Sequence, residues 1–150
     1  MLEIEHKYLL RSDAFLREAT DAIKIDQGYL SPGKPTVRVR RWGDRGYLTI
    51  KGPTEPRGLQ QAEYEYEIPL EEAQELLELC GRRRLTKTRY IVPYKGKNWE
   101  VDVFSGRHEG LMIAELEVAS ADELVELPEW VGQEVTGDPR YYNSRLAAEQ

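Results

Sequence analysis

The chain has 150 residues, enough for one domain with a single hydrophobic core. Its 21 Lys and Arg against 27 Asp and Glu leave a net charge of -6, which argues against a general nucleic-acid binder, since that needs a basic surface. The lone Cys80 excludes an internal disulfide and a cysteine-based zinc site. Charge at alternate positions from Glu3 to Lys7 argues against a secretory leader, and no apolar run approaches the length of a membrane span. The expectation is one soluble domain, residues 1–150, in the reducing cytoplasm.

In chain order the dominant signal is alternation with period two. Strands are predicted at Leu2–Leu10, Ala22–Leu30, Thr36–Trp42, Arg45–Lys51, Gln61–Pro69, Leu85–Tyr94, Lys97–Phe104 and Leu111–Ala119. Turn formers join most of them: Ser31-Pro32-Gly33, Gly43-Asp44, Gly52-Pro53, Gly96 and Gly106. Helical pattern is scarce. Leu70–Leu79 carries acids early and Arg82–Arg84 just after, which suits the helix dipole. Ser12 is placed to cap a short helix through Thr20, and a last helix is expected over Tyr141–Glu149. Many sequential strands in so short a chain suggest a mainly β, antiparallel barrel or sandwich.

The unusual feature is what those strands carry. Residues two apart point the same way, and they bear matched charges: Glu3, Glu5 and Lys7; Arg38 and Arg40; Glu63, Glu65 and Glu67; Lys87 and Arg89; Glu100 and Asp102; Glu115 and Glu117. Lys51 ends another strand. On any one strand the simplest reading is a solvated outer face with cross-strand ion pairs. Together they admit a second reading, in which the charges line an aqueous tunnel and helices cover the apolar faces outside. Acidic and basic strands are largely distinct, as a binding site requires. Carboxylate rows suit Mg²⁺ or Mn²⁺, and Lys and Arg rows grip phosphate oxygens. Both in one cavity make a site for a metal-bound polyphosphate.

These motifs resemble the CYTH superfamily, the triphosphate tunnel metalloenzymes. Glu3-Ile4-Glu5-His6-Lys7 has its Glu-x-Glu-x-Lys signature, and Arg38-Val39-Arg40, Thr49-Ile50-Lys51, Glu63-Tyr64-Glu65, Lys87-Thr88-Arg89-Tyr90, Trp99-Glu100-Val101-Asp102-Val103 and Ala114-Glu115-Leu116-Glu117 follow in family order. The closing segment, Glu134-Val135-Thr136 through Tyr141 to Ala147, is similar to the short bacterial members. The resemblance implies an antiparallel β-barrel of eight strands enclosing a charged tunnel, matching the strands predicted above. It implies that Glu3, Glu5, Glu115 and Glu117 hold a metal, with Asp102 nearby. Glu63 and Glu65 would bind a second metal or orient the attacking water. Lys7, Arg38, Arg40, Lys51, Lys87 and Arg89 would cradle phosphates, and Lys7 belongs to the catalytic set as well. Where many relatives have a C-terminal lysine, this chain has Ser144 and Arg145, and Arg145 is the candidate replacement. Tyr29, in Gln27-Gly28-Tyr29-Leu30, resembles a tunnel tyrosine that contributes to tripolyphosphate cleavage.

The implied activity is divalent-metal-dependent hydrolysis of inorganic triphosphate to diphosphate and phosphate, with Mg²⁺ or Mn²⁺. Adenylate cyclase, thiamine-triphosphatase and nucleoside-triphosphatase activities share the fold, so ATP and thiamine triphosphate are alternative substrates. A chain this short leaves little to build a base-recognition subsite, which favours the bare polyphosphate. The rivals are a non-catalytic polyphosphate-binding module and a barrel that is only structural. Neither a nucleic-acid nor a membrane partner is expected, and the chain is expected as a monomer or homodimer.

Other features carry less. Gly28-x4-Gly33-Lys34 nearly matches a P-loop, but Pro35 stands where the metal-binding hydroxyl should be, and a strand follows in place of a helix. His6 and His108 lack zinc-hydrolase spacing, and His6 is out of phase with Glu5 and so faces away from the tunnel. Arg82–Arg84 reads as a solvated helix end, and Trp42, Trp99 and Trp130 read as packing residues.

Overall fold

A computed structural model describes residues 2–33 and 35–148. It contains strands β1 (Leu2–Leu10), β2 (Asp21–Ser31), β3 (Thr36–Trp42), β4 (Arg45–Thr54), β5 (Gln60–Ile68), β6 (Arg84–Tyr94), β7 (Lys97–Phe104), β8 (Met112–Glu117) and β9 (Val131–Glu134). Helix α1 spans Leu70–Leu79 and α2 spans Asn143–Ala148. The strands run β5-β4-β3-β2-β6-β7-β8-β1-β9, and β5 pairs back onto β1. Eight antiparallel strands therefore close into a barrel, and β9 lies outside the ring on β1. Closure removes the unpaired edges that an open sheet would expose.

The register fixes the interior. Glu5 lies opposite Glu117, Lys7 opposite Glu115, Arg38 opposite both Tyr29 and Thr49, Lys51 opposite Glu63, and Arg89 opposite Asp102. Because side chains alternate, one period-two set from every strand points inward together. That inward set is the charged one. Arg38, Arg40, Lys87, Arg89, Asp102 and Glu115 are all buried.

The apolar faces point outward and are covered unevenly. Tyr8, Val92, Trp99, Val101, Ala114 and Leu116 pack with Phe15, Val118, Trp130 and Val131. Trp99 and Trp130 stand 5.7 Å apart edge to face, and Phe15 meets Trp130 at 5.8 Å in the same way. This cover is therefore a 3₁₀ turn at Ala14–Arg17 and the long β8–β9 connection, rather than helices. Ser12 Oγ accepts a hydrogen bond from the Ala14 amide, but only this short turn forms where a helix through Thr20 was expected. Helix α1 lays Ala73 and Leu77 against Val39 and Cys80 on the opposite side of the barrel. On β5, Tyr64 and Tyr66 remain about half exposed.

Two further elements depart from the periodicity reading. β9 was not predicted, since Val131-Gly132-Gln133-Glu134 is too short to alternate visibly. The last helix begins at Asn143, after a 3₁₀ turn at Pro139–Tyr141, and Glu149 lies outside the described residues.

The second edge of β1 is shared. β5 pairs with Leu2–Ile4, Leu59 O accepts from the Glu5 amide, Thr136 Oγ1 accepts from the Lys7 amide, and β9 takes over at Tyr8–Leu10. At this hand-over Gly58 meets Gly137: a β-carbon on Gly58 would lie 2.2 Å from the Gly137 Cα. Gly58 has φ +77° and Gly137 has φ +79°, so both glycines are demanded by conformation and by space.

Candidate active site

The inward set encloses a cavity of about 300 Å³. β1 supplies Glu3, Glu5 and Lys7; β2 supplies Tyr29; β3 supplies Arg38 and Arg40; β4 and β5 supply Lys51 and Glu63; β6 to β8 supply Lys87, Arg89, Glu100 and Glu115. The end of β4 at 52–54 and the loops at 32–33 and 136–137 line it as well, together with Tyr142, Asn143 and Ser144.

Two arginines share one carboxylate. Arg40 Nη2 is 3.2 Å and Arg38 Nη2 is 3.5 Å from Glu65 Oε2, which also accepts from Thr49 Oγ1 at 2.7 Å. Arg38 Nε and Arg40 Nε are buried and have no partner among the described residues. Burial, then the neighbouring Arg38 and Arg89, pushes the Arg40 guanidinium down to about 9. The Trp42 ring lies under both Arg40 at 4.7 Å and Arg89 at 5.4 Å. Trp42 is thus a cation–π platform for two tunnel arginines rather than a packing residue.

Asp102 organises the other basic strand. Its oxygens lie 2.6 Å from Lys87 Nζ and 2.7 and 2.9 Å from the Arg89 guanidinium. Burial alone would raise the Asp102 carboxyl, but Arg89 and then Lys87 hold it well below the usual range. Burial dominates at Lys87 and pushes its ammonium down to about 8. Asp102 was expected near a metal. Its oxygens are instead consumed by two cations, and it lies behind the cavity lining.

The acidic side holds Glu3, Glu5 and Glu115. Lys51 reaches Glu3 and Glu63 at 3.3 Å each, and Lys7 reaches Glu115 at 3.4 Å. Desolvation, then Glu115 and Glu3, pushes the Glu5 carboxyl up to about 8. Crowded carboxylates of this kind attract a cation. Glu117 lies opposite Glu5 but is the last residue of β8; it is exposed and absent from the cavity lining.

Other expected residues separate in the same way. Tyr29, Lys7, Lys51, Arg38, Arg40, Lys87, Arg89 and Glu63 come together, while Glu65 stands behind the arginines. Arg145 is exposed, and Asn143 and Ser144 take the lining position on α2, because a helix turns about 100° per residue and presents only part of its first turn inward. His6 faces away, as its parity requires, and bonds Glu134 at 2.8 Å. Arg83 and Arg84 are not simply solvated: Arg83 Nε donates to Tyr29 O and Arg84 pairs with Asp26. The strand after the P-loop-like glycines is β3, and Lys34 lies outside the described residues.

Sequence reasoning missed the polar groups contributed by the C-terminal segment. Asn143 Oδ1 accepts from Lys87 Nζ at 2.7 Å, Tyr141 O lies 3.4 Å from Lys7 Nζ, and the Tyr142 ring lies under the same ammonium. No period marks these residues. Gln27 was also missed, although it shares the parity of Tyr29 and so had to face inward.

The CYTH domain model matches residues 1–142. The chain is 46% identical over 146 residues to a protein of Acetivibrio thermocellus named inorganic triphosphatase, covering 96% of this chain and 92% of that protein. A protein of Nitrosomonas europaea with the same name is 36% identical over 152 residues, covering 98% and 97%. The crystal structure of the inorganic triphosphatase NE1496 superposes with a TM-score of 0.72 at 32% identity, over 99% of this chain and 95% of that one. The family match over residues 1–142 and relatives aligned over at least 92% of their length agree: this chain belongs to the CYTH domain family.

Proposed function

We propose that the chain hydrolyses inorganic triphosphate to diphosphate and phosphate within the tunnel, as the names of its two relatives suggest. One observation carries the reading beyond those names. Two buried arginines share a single carboxylate and keep Nε donors unpaired, beside a cavity that also holds three crowded carboxylates. Such donors suit a polyanion, since guanidinium forks match phosphate oxygens.

The donor set fits a hard divalent cation. Glu3, Glu5 and Glu115 offer only oxygen, and the Glu5 carboxyl is raised by burial and then by Glu115 and Glu3, a repulsion that a cation would relieve. Among the described residues no three His, Cys, Asp or Glu side chains form a ready-made cage. That suits Mg²⁺ or Mn²⁺ taking one or two carboxylates together with substrate phosphates and water. When bound with substrate, the cation supplies charge neutralisation on phosphate oxygens and a more acidic water.

The chain's own residues do the rest. Arg38, Arg40, Lys87 and Arg89 hold the phosphates in line, and Lys7 and Lys51 exchange their carboxylate partners for phosphate oxygens. A water oxygen bonds to the terminal phosphorus as the bridging P–O bond breaks, and the electron pair leaves on diphosphate. Glu63, held by Lys51, is placed to orient that water and pass its proton to solvent.

Phosphate release from triphosphate, ATP and thiamine triphosphate, with Mg²⁺, Mn²⁺ or EDTA, tests the reading. Metal-dependent release, fastest from triphosphate, is expected. Cyclic AMP and diphosphate from ATP would replace hydrolysis by cyclisation. No turnover, with triphosphate still raising the melting temperature of the wild type but not of an Arg38→Ala/Arg40→Ala variant, would leave a binding module.

A further inference from the structure

A chain of four side chains runs from Lys87 to Tyr29 and fixes which way the tyrosine proton points. An ammonium has only donors. Lys87 Nζ lies 2.7 Å from the Asn143 side-chain amide, so Asn143 turns its oxygen toward it. The same Oδ1 lies 3.4 Å from the Gln27 amide, where a second oxygen would be repelled, so Gln27 presents its nitrogen. That Nε2 lies 2.9 Å from Tyr29 Oη. Tyr29 therefore accepts from Gln27, and its own proton is turned away from Gln27. No described residue accepts that proton, and Tyr29 lines the cavity.

Gln27 holds this orientation although its own Oε1 is buried without a partner among the described residues. Reversing the amide would satisfy Oε1 with the tyrosine proton, but would set oxygen against the Asn143 oxygen. The direction thus follows from the donor-only ammonium rather than from how the amides are drawn.

We propose that Gln27 and Asn143 are positioning residues that make Tyr29 a hydrogen-bond donor into the tunnel, toward a phosphate oxygen of the substrate. This rests on the triphosphatase reading above. No proton is transferred: the bond strengthens as charge grows on the leaving diphosphate. The C-terminal helix thereby sets the polarity of a residue on β2, through a neutral relay anchored on a phosphate-binding lysine.

Two amide-to-acid replacements of nearly equal shape separate this from packing. Asn143→Asp keeps the acceptor and is expected to restore most of the kcat lost in Asn143→Leu. Gln27→Glu removes the donor and is expected to lower kcat roughly tenfold or more, as does Gln27→Leu, with KM changed less. Tyr29→Phe is expected to lower kcat about 10²-fold, and adding Gln27→Glu to it should cost nothing further. Equal falls in Asn143→Asp and Asn143→Leu would overturn the proposal. So would an undiminished Gln27→Glu effect in the Tyr29→Phe background, or a Tyr29→Phe rate equal to wild type. Neutron diffraction of the wild-type protein reads the direction without turnover. Deuterium on the Gln27 atom facing Tyr29 is expected, and a tyrosine deuteron pointing at Gln27 would refute the relay. If wild type released no phosphate from triphosphate, the functional reading would fall, while the deuterium positions would still decide the direction.

Discussion

Lys87 and Arg89 are held from behind by Asp102, which sits 2.6 Å from the ammonium and 2.7 Å from the guanidinium Nε. On the cavity side the ammonium donates to Asn143 and the guanidinium meets Glu100 at 3.2 Å and Glu115 at 3.4 Å. Removing it takes the nearest counter-charge from two buried cations. Asp102→Ala should cost about 3–5 kcal/mol of stability, and Asp102→Asn, which keeps the shape and one acceptor, clearly less. Urea denaturation of the two variants checks the order; equal losses would mean that volume, not charge, matters there.

Lys87 also sets an alkaline limit. Burial brings its ammonium down from 10.5 to about 8, so the free enzyme loses this cavity-lining charge above that pH. The expected kcat/KM falls with a midpoint near 8, and Lys87→Arg moves the fall upward because arginine keeps its charge. Stability changes in the opposite sense. Between about 8 and 10.5 the unfolded chain binds more protons than the folded one, so that part of stability rises with pH. A pH profile of kcat/KM beside one of unfolding free energy reads both signs.

At Glu5 activity and stability are opposed. Its carboxyl is pushed up to about 8 by desolvation and by Glu115 and Glu3, so the cation-free fold bears its cost near neutral pH. Glu5→Gln should stabilise the EDTA-treated protein by on the order of 1 kcal/mol while lowering turnover at least about 10²-fold. Thermal melts with and without Mg²⁺, beside phosphate release, check this. Retained turnover with wild-type metal dependence would remove Glu5 from the cation site.

The junction of Gly58 and Gly137 tolerates no side chain. Gly58→Ala places a β-carbon 2.2 Å from the Gly137 Cα at a positive φ, so backbone has to move. A loss of roughly 2 kcal/mol or more is expected. Because the two loops flank the cavity, KM for triphosphate should rise more than kcat falls. Gly43→Ala, at φ +61° with nothing near its β-carbon, serves as the comparison for backbone strain alone.

The barrel was legible in the sequence because each wall strand writes its inner face at every second residue. Arg38 with Arg40, or Glu3 with Glu5 and Lys7, announces both strand and site at once. Parity could not separate residues that point inward at different depths. Asp102 and Glu115 share an inward phase, yet Asp102 is spent on Lys87 and Arg89 while Glu115 reaches the cavity. Glu117 is in phase with Glu115 but lies exposed at the end of its strand, outside the cavity lining. Asn143, Thr136 and Tyr142 arrive through irregular chain and a short helix, so no period announces them.

The pairing of β1 has a consequence for how the chain folds. Its partners are β5, β8 and β9, and the last two come from the far end of the sequence. As the chain leaves the ribosome, the first strand made has to wait for the last ones before its edges are satisfied, a high-contact-order closure that is expected to be slow. During that wait it is an unpaired strand. The alternating Glu3, Glu5 and Lys7 that later line the tunnel are then exposed charges on a bare edge, the feature that keeps such edges from joining other chains. The charges that line the cavity of the finished barrel are thus expected to guard the nascent strand against aggregation as well.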